Sequence, residues 1–266
     1  MPVNLKIDAG NRRIKWTFHE FSADDSGVLA PTNDGESGFV SSRSTDLTGS
    51  LVSELKDVPV PDAVWVSCVG SNEIRSAMQL VCTRLWNVPP VFLASQRRAG
   101  GVSNCYQDPE TLGVDRWAAL VGARSLFSDR PVVVVDAGTA VTVDYLDQAG
   151  EFRGGIIFPG LETMLEALSL STGKLKERPA GWGDGRNPGW LNDNSADAVH
   201  NGVMLAAKST VDCAISSHIS RDHAGAEIVV TGGDADIIRA MSDFPMQPVP
   251  ELVLFGVQVI GEEIQE

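Results

Sequence analysis

The chain has 266 residues, 43% of them apolar, and its 35 acidic residues outnumber 21 Lys and Arg, giving a formal net charge of −14. That composition excludes disorder for the bulk of the chain, and the acidic balance repels phosphodiester backbones, which argues against nucleic acid as a partner. No apolar run approaches the roughly 18 residues of a membrane span, no basic start precedes an apolar leader, and Cys68, Cys82, Cys105 and Cys213 lack C-x-x-C spacing. A cytoplasmic protein with reduced thiols and no membrane partner is expected.

In chain order, β-branched and alternating apolar runs predict strands at 3–8 and 13–19, joined by Asp8-Ala-Gly-Asn11. Residues 22–50, rich in Ser, Asp and Gly, read as irregular. A strand at 63–69 precedes a helix at about 72–86, and a strand follows at 90–94. The next helix, 114–128, puts Val114, Trp117, Leu120 and Val121 on one face and Arg116 and Arg124 off it. Strands at 131–136 and 140–146 flank Asp136-Ala-Gly-Thr139, with another at 151–157 and a helix at about 160–170. The Gly-rich stretch 171–195, with Trp182 and Trp190, reads as a long loop, a length at which lids and subunit contacts are common. Helices at about 196–218, 234–242 and 252–264 and a strand at 227–231 complete the pattern.

The chain repeats itself. Leu5-Lys-Ile-Asp-Ala-Gly and Val133-Val-Val-Asp-Ala-Gly each run from an apolar strand through D-A-G into an alternating strand, and the two aspartates stand 128 residues apart, close to half the chain. A duplicated α/β fold with mixed sheets flanked by helices follows, divided as 1–112 and 113–266.

In a D-x-G turn, glycine permits positive φ and lets backbone amides approach a ligand. Such amides cradle phosphate oxygens, while the Asp reaches a hydrated divalent metal. Lys15 would add positive charge, and two such turns facing across a cleft would hold a nucleoside triphosphate. Either turn alone reads more readily as ordinary hairpin chemistry; the pair points to a ligand, and Thr231-Gly-Gly233 at a strand end, offering room for a flat adenine, adds to it.

The ordered set Asp8-Ala-Gly-Asn11 with Lys15, Gly113-Val-Asp-Arg116, Asp136-Ala-Gly-Thr-Ala-Val-Thr142, Gly154-Gly-Ile-Ile-Phe-Pro-Gly160 and Thr231-Gly-Gly233 resembles that of the type III pantothenate kinases. These belong to the superfamily of acetate and sugar kinases, actin and heat-shock chaperones. The resemblance implies duplicated ribonuclease-H-like (actin-like ATPase) domains. It also implies ATP-dependent phosphorylation of pantothenate, the first step of coenzyme A biosynthesis, by a homodimer. By the same resemblance Asp115 is the general base, and a primary alcohol needs such a proton acceptor at neutral pH. Tyr106, Gly113, Val114, Asp115, Arg116 and Ser195 line the pantothenate site, with Arg116 offering a planar fork to the substrate carboxylate. Asp8, Ala9, Gly10, Asn11, Arg12, Arg13, Ile14, Lys15 and Thr139 bind ATP. Asp8 serves its magnesium, and Asp136 a monovalent cation, potassium or ammonium.

Two positions depart from the family pattern. Arg12 stands where a Thr or Ser is usual, and Ser195 replaces a Thr. Asp144 reads as a solvated strand end with only a reserve claim on magnesium. Another acceptor, water in a polyphosphatase included, and a regulatory binding role are the competing readings. Arg116 speaks against the first, and retention of Asp8, Asp115 and Asp136 against the second. His19, His200, His218 and His223 lack the i, i+4 pairing of a helical zinc site, and neither a G-x-S-x-G elbow nor a Walker loop is present.

Overall fold

The structure, a computed structural model, describes residues 3–24, 28–172, 191–222 and 225–265. They form two compact units, one of residues 1–128, 150–152 and 251–266, the other of 129–149 and 153–250. This division departs from the 112/113 boundary read from the sequence, because the helix after residue 113 and the helix after residue 251 both belong to the first unit.

The first unit opens with the strand β1 (Asn4–Ala9), followed by β2 (Arg13–Thr17), β3 (Phe21–Ala23), β4 (Leu29–Pro31), β5 (Ser37–Ser41), helix α1 (Leu47–Leu55), β6 (Ala63–Cys68), α2 (Asn72–Trp86) and β7 (Val91–Phe92). A five-stranded sheet has the order β5-β2-β1-β6-β7, with β1 antiparallel to β2 and parallel to β6. Its alternation is strict. Leu5, Ile7 and Ala9 on β1, Ile14 and Trp16 on β2 and Val64 and Val66 on β6 join one core with Leu51 and Leu55 of α1. Ile74, Ala77, Met78, Val81 and Cys82 of α2, at helical spacing, complete it. Asn87, left-handed at φ 56°, ends α2 by donating its N–H to Thr83 O. Burial pushes the Cys82 thiol up to about 12 and raises that of Cys68, which leaves both unreactive.

The other sheet face packs on α3 (Val114–Leu126) and α7 (Leu252–Gln265). These helices meet at backbone contact: a Cβ on Gly256 would collide with Ala118 O, and one on Gly122 would stand 2.7 Å from Leu252 O. On that face Lys6 is fully buried, where desolvation lowers its pKa against the raising effect of Glu20, whose Oε1 accepts from Lys6 Nζ at 2.8 Å. The hairpin β8 (Arg98–Ala99) and β9 (Val102–Asn104) pairs with the first residues of β12 (Glu151–Pro159), and a 3₁₀ turn at Pro109–Thr111 leads into α3.

The second unit repeats the central motif. Here β10 (Val132–Ala137) is antiparallel to β11 (Ala140–Leu146) and parallel to β13 (Glu227–Thr231), and β14 (Gln247–Pro248) extends the sheet beyond β13. Along β1 and β10 the pattern of buried and half-buried residues is identical, each Asp occupying the half-buried fifth place. Val133, Val135, Val141, Val143 and Ile228 pack under α4 (Leu161–Thr172), α5 (Ser195–Asp222) and α6 (Ala235–Met241).

Several expectations need correction. Residues 22–50 are not irregular, since they hold β4, β5 and the start of α1. Arg116, placed off the buried face of its helix, is 7% exposed, and Asp144, read as solvated, is 1% exposed. Most of the loop at 171–195, with Trp182 and Trp190, lies outside the described residues. Cys68 and Cys82 are buried, Cys105 and Cys213 exposed, and none of the four forms a disulfide.

Candidate active site

Three groups of predicted residues occupy distinct local settings. At the end of β1, Asp8 pairs in register with Lys15 on β2 and with Ser67 on β6, so the three side chains share one sheet face. The turn between the strands is closed by Gly10 N–H donating to Arg13 O at 3.0 Å, and Ser42 Oγ donates to Gly10 O at 2.7 Å. Gly10 does not have positive φ, contrary to the sequence reading; its value is closeness, because a Cβ would stand 3.3 Å from Arg13 O. Ala9 and Ile14 are core residues beneath the turn, Asn11 is exposed, and the Arg13 guanidinium lies 6.0 Å over the Phe39 ring.

The second group lies at the start of α3. Gly113 is the N-cap, and Val114 and Asp115 open the first turn. A Cβ on Gly113 would stand 2.6 Å from Asp115 Oδ1, so only glycine leaves that oxygen its place. Arg116 N–H donates to the same oxygen at 2.8 Å. The helix N-terminus favours an anion, and the Arg116 hydrogen bond and charge also lower the pKa, yet burial outweighs them and raises the Asp115 carboxyl above its ordinary value. Beside it Arg116 Nη1 donates to Tyr106 Oη at 3.2 Å, and the Arg116 guanidinium lies 5.9 Å over the Phe152 ring. Tyr106 packs against the same ring, centroids 5.5 Å apart. A carboxyl of raised pKa, a buried guanidinium and a phenol are thus brought together in one unit, the set needed to deprotonate one group of a substrate and hold its carboxylate.

The third group is in the second unit. Asp136, at the end of β10, pairs with Thr142 on β11 and Thr231 on β13. Gly138 N–H donates to Ala140 O at 2.9 Å, closing the turn, and Thr139 O accepts from Gly160 N–H at 3.0 Å and Thr163 Oγ1 at 2.6 Å. Positive φ, expected in the D-A-G turn, occurs instead at Gly232 (φ +96°), whose missing Cβ makes room for Ala137 O and, at 2.6 Å, Asp136 Oδ1. Ser195, exposed, opens α5 in this unit, where Asn194 Oδ1 caps the helix by accepting from Asp197 N–H at 2.9 Å.

Sequence reasoning missed Phe152, the aromatic platform, because an apolar residue at a strand start carries no signal of its own. Ser67 is visible only through its register with Asp8.

Comparison with known proteins settles the family. A family profile described as type III pantothenate kinase matches residues 4–217. The chain belongs to the type III pantothenate kinases. It is 33% identical over 260 residues to the type III pantothenate kinase of Herminiimonas arsenicoxydans, covering 97% of this chain and 96% of the relative. Among solved structures, a Campylobacter jejuni protein described as a Baf family transcriptional activator aligns at TM-score 0.59 and 17% identity, over 98% of both chains. A Sinorhizobium meliloti protein described as a 2-dehydro-3-deoxygalactonokinase aligns at 0.52 and 13%, over 98% of this chain and 99% of that one. At these identities the likeness is one of fold, that of the sugar-kinase and actin-like ATPases.

The turns suit the ATP and hydrated magnesium that the family implies. Among the described residues, Ser67 Oγ beside Asp8 and Thr142 Oγ1 beside Asp136 are buried without a hydrogen-bond partner. An unpaired buried hydroxyl costs about 1–3 kcal/mol, a cost that a phosphate or hydrated cation bound at the turn would offset.

Proposed function

We propose that Asp115 is the general base in the ATP-dependent phosphorylation of pantothenate, the reaction of this family and the first step of coenzyme A biosynthesis. One observation carries the assignment: on consecutive residues of α3 stand a carboxyl whose pKa burial raises and a buried arginine fork joined to a tyrosine. The primary hydroxyl of pantothenate gives its proton to the Asp115 carboxylate as its oxygen bonds to the γ-phosphorus. The bond from that phosphorus to the β–γ bridging oxygen breaks, and ADP leaves. A carboxylate whose pKa burial raises is the stronger base toward the hydroxyl proton. Arg116 and Tyr106, with Gly113 and Val114, hold the substrate, Arg116 at its carboxylate.

The turn Asp8–Lys15 offers phosphate its backbone amides and the Lys15 ammonium, and the turn at Thr139 in the second unit offers backbone amides of the same kind. Asp8 would hold hydrated magnesium, which would supply charge neutralisation to the phosphates while keeping several of its waters, and Asp136 would hold a monovalent cation at the second turn. A homodimer is supported by exposed apolar side chains of the second unit, Ile157 at 60% and Leu170 at 87%, which favour burial against a second copy. Cytoplasmic residence is supported by four cysteines outside any disulfide, and no helix among the described residues is long and apolar enough to cross a membrane.

The deciding experiment measures ADP release with ATP, magnesium and pantothenate, in potassium and then in sodium. Pantothenate-dependent turnover that collapses in sodium is expected. Equal turnover in both removes the cation from Asp136, and ADP release indifferent to pantothenate removes the acceptor.

A further inference from the structure

The segment between β7 and α3 has to hold Tyr106 against a surface that its own residues do not form. Cys105 and Gln107 on either side of it are exposed, and residues 105–108 belong to no strand or helix. Its backbone carbonyls are instead gathered by one side chain. Arg97 Nη1 donates to Asn104 O at 2.9 Å and to Tyr106 O at 2.8 Å, and Arg97 Nη2 donates to Gln107 O at 3.0 Å. Asn104, 2% exposed, assists from within: its Oδ1 accepts from Tyr106 N–H at 3.1 Å, and its Nδ2 donates to Pro109 O at 3.2 Å.

A planar guanidinium is the side chain suited to this task, because its donors diverge in one plane with fixed angles. An ammonium offers the same charge without that geometry. Three carbonyls spread over four residues are held in one curve, and the curve sets where the Tyr106 ring meets Phe152 and where its hydroxyl meets Arg116 Nη1. The chain of contacts runs Arg97, Tyr106 backbone, Tyr106 Oη, Arg116.

We propose that Arg97 is a positioning residue for the pantothenate carboxylate site, acting through Tyr106 on the orientation of Arg116. This rests on the reading of Tyr106 and Arg116 as substrate-holding residues. Arg97 touches neither substrate nor reacting atoms in this account; its effect is on how well a fork already present is aimed. Binding of the substrate carboxylate depends on that aim, since a bidentate pair is lost when the fork rotates.

The test is a double-mutant cycle on the full chain, with steady-state kinetics for both substrates and thermal melts. Arg97→Gln and Tyr106→Phe are each expected to raise the pantothenate KM about five- to tenfold, the net worth of one ordinary hydrogen bond. The ATP KM and kcat should stay within about twofold, and the double variant should be no worse than the worse single one, as for residues acting through one contact. Arg97→Lys should fall between wild type and Arg97→Gln, and it serves in place of the latter should that variant not fold. A pantothenate KM untouched in Arg97→Gln, with only a lowered Tm, overturns the proposal and leaves Arg97 a structural clamp. Effects that multiply in the double variant also overturn it, because Arg97 would then act independently of Tyr106. If Tyr106→Phe alone leaves the pantothenate KM unchanged, the underlying assignment of Tyr106 and Arg116 fails, and the proposal with it.

Discussion

Asp115 shows how two local effects compete on one side chain. Position in the first turn of α3 favours the carboxylate, burial favours the acid, and burial wins. The consequence for stability has a definite sign. Between the unfolded and the raised folded pKa the native state binds more protons than the unfolded one, so stability falls as pH rises through that interval. Above it the native state carries the cost of a buried charge. Asp115→Asn should therefore melt higher than wild type at neutral pH. The difference should vanish as pH falls to the ordinary aspartate range. The same variant should lose turnover by at least about a hundredfold while ADP binding by calorimetry stays near wild type. A variant retaining most of its turnover would remove the general base. The motif Gly113-Val-Asp-Arg116 was legible in the sequence, but the burial of Arg116 was not. An arginine off the apolar stripe reads as solvated until Tyr106 and Phe152 close over it, and both come from elsewhere in the chain. Arg97 was invisible for a related reason, since its partners are carbonyls and carbonyls have no sequence.

At the scale of elements, the strand–turn–strand units were legible because their signals are local: apolar alternation and a fixed D-A-G. The helix 72–86 was legible for the same reason, its apolar positions recurring at 3.6-residue spacing. What escaped are the short strands β3, β4, β8, β9 and β14, together with β5 and α1. β5 is an edge strand with only Val40 buried, and its pairing partner β2 lies more than twenty residues earlier. α1 is announced mainly by Asp46, whose Oδ1 caps the helix by accepting from Gly49 N–H at 2.8 Å. The glycines of the second unit carry a sharper requirement. A Cβ on Gly160 would collide with Gly138 O and stand 2.9 Å from Thr139 O, both backbone atoms that yield only if the turn moves. Gly160→Ala should cost about 1–3 kcal/mol of stability and raise the ATP KM more than the pantothenate KM. Equal effects on the two constants, or none, would detach this turn from nucleotide binding.

At the scale of the molecule, the resemblance between halves was readable from two short motifs, whereas the division into units was not. Composition and spacing give no hint that α7 completes the unit that β1 begins. Its Leu252, Val253, Leu254, Phe255, Val257 and Ile260 are all buried. At about 1.5–3 kcal/mol for each large apolar side chain, their burial is worth on the order of 10 kcal/mol, comparable with the whole stability of an ordinary domain, about 5–15 kcal/mol. A chain ending at Pro250 should accordingly fail to accumulate in soluble form. Recovery of that truncated chain with a wild-type melting profile would show that α7 is dispensable.

The contact of Gly122 and Gly256 across α3 and α7 also sets a schedule for synthesis. The ribosome delivers β1, β6 and α3 long before α7, while the second unit is a continuous stretch apart from the three residues 150–152. Throughout that interval the apolar face of α3 and the buried Lys6 have no cover, and exposed apolar surface on a nascent chain is where chaperones bind and aggregation starts. The first unit to emerge is thus the last to finish, and its vulnerable period lasts as long as the second unit takes to be made.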